Sequence, residues 1–313
     1  MKAIKCKLCK SDNVNITYHG MIRDGALGRY TKMPVSMYRC TCCGVIWHNP
    51  VLEDQKRYYE SAEYRESMDE GVGEDEFYAH HDRETLDKLR YTGTDIFRHK
   101  IVADIGSGAG AFLDFIKGVG DTVIGVEPTE EYRRIMERKG MVAYAYMEDI
   151  IAEFASMDNT PLFNQREGGG IDVVTSFDVI EHVQEPAGFM KNIHAILKKG
   201  GRAIIGTPTE APVMRELLGE IYERKQLFST QHPWVFSQTS LNNLSIGAGF
   251  EPDKIKFKFF QRYGVENMLG WLRDKKPRAE LNMPFAADAL DAVWRAETGS
   301  KGMADYIVVY LEK

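Results

Sequence analysis

The chain has 313 residues, 43% of them hydrophobic and 11% aromatic, with a formal net charge of −6 at pH 7. That size suits one large domain, or a catalytic domain with a small appendage, and the apolar share supplies a core. The acidic balance argues against a protein that coats nucleic acid. No apolar run approaches the roughly 20 residues that cross a bilayer, and "MKAIKCKLCK" is too polar for a signal peptide, so a soluble cytoplasmic protein is expected.

The five cysteines fall within the first 43 residues: Cys6, Cys9, Cys40, Cys42 and Cys43. In a reducing compartment such clustered pairs point to metal rather than disulfides. Cys6-x-x-Cys9 and Cys40-x-x-Cys43 form two knuckles that can close a tetrahedral Zn²⁺ site, and four thiolates leave no open position, so the metal reads as structural. Gly44 turns the chain after the second pair, and Cys42 is the spare, expected to be partly buried. "VNITYHGM" and "MPVSMYRC" alternate as strands do, which completes a zinc-ribbon pattern. Reduced, unliganded cysteines are the plainer alternative. The basic residues here (Lys2, Lys5, Lys7, Lys10, Arg23, Arg29, Lys32, Arg39) form either a solvated face or a patch that attracts phosphate.

Next comes a charged, tyrosine-rich stretch of helical pattern, with a break around Gly71 and Gly73 and a helix predicted from Phe77 to Leu89. "KIVADIG" (100–106) then reads as a buried strand, "AFLDFIKGVG" (111–120) as a helix ending at glycine, and "TVIGVE" (122–127) as the next strand. This is a βαβ unit, whose loop sits at the carboxyl edge of a parallel sheet, where ligands bind. The spacing Gly106-x-Gly108-x-Gly110 differs from the dinucleotide fingerprint, and Asp104 precedes it. A carboxylate there opposes a pyrophosphate but welcomes a ligand bearing an ammonium and a sulfonium, as S-adenosylmethionine (SAM) does. Glu127 can take both ribose hydroxyls. An acid there also serves NAD, so the reading rests on Asp104, the glycines and Glu127 together.

These residues resemble the class I SAM-dependent methyltransferases. The resemblance implies an α/β fold with a Rossmann-like seven-stranded sheet, preceded here by the small zinc ribbon and carrying helical insertions. Pro128 joins the cofactor set. "YMEDI" (146–150) implies that Glu148 and Asp149 read the adenine. "IDVVTSFDVIEHVQEP" (171–186) resembles the fourth strand and its exit, placing Phe177 and Asp178 near the methionine end. "ILKKGGRAIIGTP" (196–208) resembles the Lys-Gly-Gly turn into the fifth strand. Plainer roles stand beside these: Gly200 and Gly201 as a turn, Asp172 as a strand cap, Phe177 as packing.

Methyl transfer is an in-line displacement that gains from alignment and exclusion of water, and a hydroxyl acceptor must shed a proton to a base. His182, beside Glu181, titrates in the right range, although it could equally only shape its loop. His232, in a loop expected to arch over the cofactor before a helix capped by Ser237 and closed at Gly249, is a second candidate. His80 and His81 are a third. Insertions at 209–236 and 261–303 exceed the methyl-transfer core. Their aromatics (Trp234, Tyr263, Trp271) and bases (Arg262, Arg273, Lys275, Lys276, Arg278) could stack on a sugar and hold phosphates, while Trp271 and Trp294 could instead be core or dimer contacts.

The whole pattern resembles bacterial methyltransferases of sugar and surface-polysaccharide biosynthesis, related to nucleotide-sugar C-methyltransferases. That resemblance implies a ribbon over residues 1–55, an arm over 56–99 and a catalytic domain over 100–313. It implies a sugar or glycan acceptor, with or without phosphate, and "YYESAEYR" and "YAHHD" near the acceptor; a homodimer is open, since the sequence does not set the oligomeric state. The group's further C-terminal domain does not follow the seventh strand, which favours O- over C-methylation. A zinc-ribbon ribosomal RNA methyltransferase, a sugar C-methyltransferase and a quinone-type small-molecule O-methyltransferase are the alternatives.

Overall fold

A computed structural model describes residues 4–49, 55–61, 63–69, 73–155, 170–277 and 288–313. Lys2, Gly71 and Arg278 lie outside them. In chain order the strands and helices are β1 (Val14–Gly20), β2 (Val35–Cys40), β3 (Ile46–Trp47), α1 (Gln55–Glu60), α2 (Glu63–Ser67), α3 (Glu74–Thr92), β4 (Ile101–Ile105), α4 (Ala111–Ile116), β5 (Thr122–Val126), α5 (Glu130–Arg138), β6 (Val142–Tyr144), α6 (Met147–Ala155), β7 (Ile171–Phe177), α7 (Pro186–Ile196), β8 (Leu197–Pro208), α8 (Pro212–Leu218), α9 (Glu220–Tyr222), β9 (Trp234–Val235), α10 (Gln238–Ala248), β10 (Ile255–Phe260), α11 (Val265–Asp274), α12 (Asp288–Ser300) and β11 (Tyr306–Glu312).

Among the described residues, seven strands form one sheet in the order β10-β11-β8-β7-β4-β5-β6. β4 pairs in parallel with β5 (Ile101↔Thr122 to Ile105↔Val126) and with β7 (Val102↔Val173 to Ile105↔Ser176), and β5 with β6. Every residue of β4 and β7 is buried, as a parallel strand covered on both faces requires. Asp172 accepts a hydrogen bond from the Ile101 amide at 2.8 Å and pairs with Lys198, so it does cap a strand edge. The expected Lys-Gly-Gly turn is instead part of β8, which starts at Leu197 directly after α7. Gly200 takes φ +72° there, and its amide donates to the Lys313 carbonyl.

The chain divides into two compact units. One comprises Glu53–Ile205, Leu244–Lys256 and Val309–Lys313 and holds the glycine loop. Here α3 runs beyond the predicted Phe77–Leu89 at both ends, and Glu76 accepts a hydrogen bond from the Gly73 amide to satisfy an orphan donor at its start. The arm is packed rather than a free linker. Phe77 and Tyr91 are buried, Tyr78 donates to the Ala109 carbonyl and Tyr310 to the Tyr91 carbonyl, each at 2.7 Å.

The other unit comprises Met1–Leu52, Gly206–Asn243 and Phe257–Val308. Its sheet runs β1-β2-β3-β9, antiparallel throughout, with a register shift between Ile16 and Tyr18. The expectation that "QHPWVFS" arches as a loop is corrected here: Trp234 and Val235 form the fourth strand, opposite Trp47 and Ile46. Ser237 fixes this attachment by donating to the Cys43 carbonyl at 2.6 Å, and it also caps α10 by accepting from the Ser240 amide. A single apolar cluster joins Ile22, Met37 and Ile46 of the cysteine-bearing N-terminal segment to Met214, Leu218, Phe228 and Val235 of the stretch after β8 and to Trp271 of α11. Full burial of each such side chain contributes about 1.5–3 kcal/mol, so the N-terminal segment shares its core with both later stretches.

Candidate functional site

The glycine loop leaves β4 at Ile105 and enters α4 at Ala111. Gly106 and Gly108 take φ +75° and +55°, a region that favours residues without a Cβ. A Cβ on Gly106 would lie 2.3 Å from Val179 Cγ2, and one on Gly108 2.5 Å from Phe77 Cζ. Both glycines border a cavity of about 860 Å³, within the range of small-molecule and cofactor sites. Gly110 is not on its wall; it sits at the N-terminus of α4 with φ +86°.

Asp104 does not reach that wall either. It is 2% exposed, accepts from Thr175 Oγ1 at 2.7 Å through Oδ1, and its Oδ2 has no hydrogen-bond partner among the described residues. Burial pushes its carboxyl above the ordinary range, and the charge of Glu127 adds to that, against the Lys88 charge and the Thr175 bond. A buried carboxylate oxygen without a donor is costly. Glu127 lies on the wall with both oxygens engaged, Oε2 by the Gly108 amide and Oε1 by the Thr129 amide, each at 3.0 Å. The carboxylate that would grip a ribose thus also fixes the shape of the loop.

Pro128, Glu148, Phe177 and Asp178 line the same cavity. Glu148 accepts from Asn192 at 2.8 Å. Asp149 does not line it: its side chain accepts from the Tyr146 amide at the start of α6, as Asp does at helix starts. Asp178 holds φ +57° at the exit of β7, the kind of backbone strain that clusters at functional sites. Lys88, which sequence reasoning passed over, reaches the wall with its ammonium 5.8 Å from the centroid of the Phe177 ring. Its only sequence signal was a position on the inner face of α3.

His182 lies on the wall, its Nδ1 2.8 Å from the Tyr59 hydroxyl, with the Tyr59 and Tyr64 rings edge-on to it. Glu181 is 2% exposed and lies behind the wall, a carboxylate oxygen within 4.8 Å of a ring nitrogen of His182. His81 lines it, bonded to Arg65 through Nε2 and to Glu84 through Nδ1, both at 3.0 Å, and His80, which is not on the wall, packs edge-on against His81. Tyr59, Tyr64 and Arg65 come from "YYESAEYR" and His81 from "YAHHD", but the pairing of Tyr59 with His182 crosses 123 positions and has no local signature.

His232 belongs to the other unit, in a turn where its amide donates to the Ser229 carbonyl. Of the two roles open for Trp271, the buried one holds: it is 2% exposed, with the Tyr222 ring 5.3 Å away. Arg262 lies over the Tyr306 ring at 4.2 Å, its amide bonded to Asp305, while Tyr263 stays 47% exposed. The sulfurs of Cys6, Cys9, Cys40 and Cys43 lie within 4.8 Å of one another, with Cys6–Cys43 at 3.7 Å and Cys9–Cys40 at 3.5 Å. Tetrahedral Zn–S bonds of about 2.3 Å would set sulfurs about 3.8 Å apart, so the donor set fits that ion. Cys42 is exposed, not partly buried.

No helix among the described residues is long and apolar enough to cross a membrane. A family model described as a methyltransferase domain matches residues 78–255. Ubiquinone biosynthesis O-methyltransferases are similar: that of Actinobacillus pleuropneumoniae is 27% identical over 47% of this chain and 62% of its own length, that of Ralstonia nicotianae 26% over 50% and 65%. The chain therefore spans less than two thirds of these relatives. A SAM-dependent methyltransferase from Archaeoglobus fulgidus is similar in structure, with a TM-score of 0.49 and 16% identity over 76% of this chain and 97% of that one. The family model covers more than half of the sequence, including the glycine loop and the exit of β7, and the chain belongs to the family of SAM-dependent methyltransferase domains.

Proposed function

We propose that the protein is an O-methyltransferase acting on a sugar or glycan hydroxyl, with His182 as the base and a structural zinc on Cys6, Cys9, Cys40 and Cys43. The observation that carries the reaction type is the hydrogen bond between His182 and Tyr59 on the wall of the cavity that the glycine loop borders. SAM, when bound, supplies an electrophilic methyl group on a sulfonium. The residues that would hold it are Asp104 behind the loop, Gly106 and Gly108 along it, and Glu127 and Glu148 on the walls. The base role requires Nδ1 to carry the imidazole proton and donate it to the Tyr59 oxygen, so that Nε2 can accept the proton leaving the acceptor hydroxyl.

The walls also carry Lys56, Arg65 and Lys88 beside Tyr59, Tyr64 and Phe77. Aromatic faces suit the apolar side of a sugar ring and the cations suit a phosphate on it, a poorer match to a long hydrocarbon tail. A second reading, methylation of a phenolic or quinol hydroxyl, draws on the names of the similar ubiquinone biosynthesis enzymes.

Labelled SAM offered with three pools (nucleotide sugars and glycan extract, quinols and catechols, hypomethylated ribosomal RNA) tests this. Label in the first pool supports the proposal, and label in the second substitutes the phenolic acceptor. Label in the third would reassign the basic ribbon to phosphate binding and overturn it.

A further inference from the structure

The unit that holds the ribbon has a cavity of its own, about 120 Å³, walled by Tyr222, Tyr263, Trp271 and Trp294 with Gln226 and Asp305. At roughly 10–15 Å³ per water position this is space for several waters or one six-membered ring. Its floor is rigid. Trp271 is buried with Tyr222 edge-on at 5.3 Å, and Trp294 donates its indole N–H to the Tyr263 carbonyl at 3.0 Å. The Asp305 carboxylate is only 6% exposed and is held by Gln261 Nε2 and the Arg262 amide, both at 2.8 Å.

The chemistry of the walls narrows the ligand. A purely apolar ring would desolvate the remaining lone pairs of the carboxylate and the Gln226 amide without adding a partner to either, which offsets the gain from contact. An anion would face Asp305 at close range in a partly enclosed site. A neutral ring with hydroxyls at its edge and C–H groups on its face satisfies both, because hydroxyls donate to a fixed carboxylate and amide while the flat face packs on aromatic rings.

We propose that this cavity is a binding subsite for one neutral pyranose ring, distinct from the cavity that the glycine loop borders. The choice of a carbohydrate rests on the acceptor reading above. The subsite itself rests on the aromatic walls and the anchored carboxylate.

The test uses the full chain saturated with S-adenosylhomocysteine and titrated with methyl pyranosides of the gluco, galacto, manno, rhamno and N-acetylgluco series. Tryptophan fluorescence and ligand-observed saturation-transfer NMR are the readouts. The expected result is saturable binding in the millimolar range, weakened at least about tenfold by Gln226→Leu and by Trp294→Ala, with S-adenosylhomocysteine affinity unchanged in both. Absence of saturation with every pyranoside overturns the subsite. So does binding by both variants that equals wild type, and so does a preference for uridine or adenosine over the pyranosides. Methyl transfer is measured separately: label appearing only in phenols, with pyranoside binding intact, would remove the acceptor reading and leave the subsite standing.

Discussion

The two units are built on opposite plans. The one with the glycine loop takes much of its candidate site from short continuous segments: the loop from Ile105 to Gly108, the strand end at Glu127 and the β7 exit at Phe177, Asp178, Val179 and His182, with arm residues such as Tyr59 and His81 added from a distance. The one with the cysteines is woven from three stretches, and its core closes only when Ile46, Val235 and Trp271 meet. A site made of continuous segments can be read from spacing, because local sterics fix each piece. A woven unit depends on which distant segments choose one another. Cysteine spacing is the exception, since each knuckle is local even though the cluster joins residues 37 positions apart.

The largest expected effect breaks the woven unit. Cys40→Ser removes one of four thiolates from a site whose metal, if structural, carries about 10–16 kcal/mol of apparent binding free energy at neutral pH. Metal analysis should fall from one zinc per chain to well below stoichiometric, with a loss of thermal stability. Stoichiometric zinc in the variant, or none in the wild type, would remove the metal from the account. Next in size is Asp104→Ala in the other unit, which should abolish SAM binding in calorimetry while zinc content stays unchanged. The sign of its pH dependence follows from burial. Because the carboxyl is pushed upward in the folded protein, protonation discharges it at a higher pH than an ordinary aspartate. Wild-type SAM affinity should therefore weaken on acidification before exposed carboxylates titrate. Affinity that is flat down to the ordinary aspartate range would separate Asp104 from the ligand cation.

The βαβ unit, its parallel sheet and the glycine loop were legible because buried strands of five to seven residues and closely spaced glycines leave few conformational options. β9 was not legible. Two residues, Trp234 and Val235, have no measurable period, and their pairing with β3 is selected by the cluster around Ile46 and by Ser237 reaching the Cys43 carbonyl. Trp271 stayed ambiguous for the same reason: an aromatic on an inserted helix has the same signature whether it faces solvent or a distant core. Glu181 follows a β7 exit that was read well, yet spacing alone does not tell which of two neighbouring side chains turns inward, and here it is His182 that lines the cavity. The Tyr59 hydroxyl that meets His182 comes from the arm, where "YYESAEYR" was expected near the acceptor but no local pattern singled out Tyr59 or its partner.

That pairing supplies the next prediction. His182→Ala should lower turnover by about 10²–10⁴, the range of a lost general base, with SAM affinity within about threefold of wild type. Tyr59→Phe should cost about tenfold and move the acid limb of the pH–rate profile, because the tautomer that frees Nε2 loses its partner. Normal turnover in His182→Ala would reduce the residue to loop packing and leave the cavity in search of another base.

The smallest effect is expected at the cavity rim. Glu84 is lowered to about 2: burial opposes its charge, but the hydrogen bond from His81, with the Lys88 charge nearby, outweighs it. A carboxyl whose folded value lies below its unfolded one adds stability above the unfolded value and loses it as pH falls through the folded value. Glu84→Gln should therefore destabilise at neutral pH, with the difference from wild type shrinking between about pH 4.3 and 2. The side chain is 58% exposed, so solvent screening holds the cost below about 1 kcal/mol. Denaturant unfolding of the two proteins at pH 7 and near pH 3 measures it. A cost that persists at low pH would mean that Glu84 acts through packing, and that the His81 ring is held on the wall by Arg65 and Phe77 without the carboxylate.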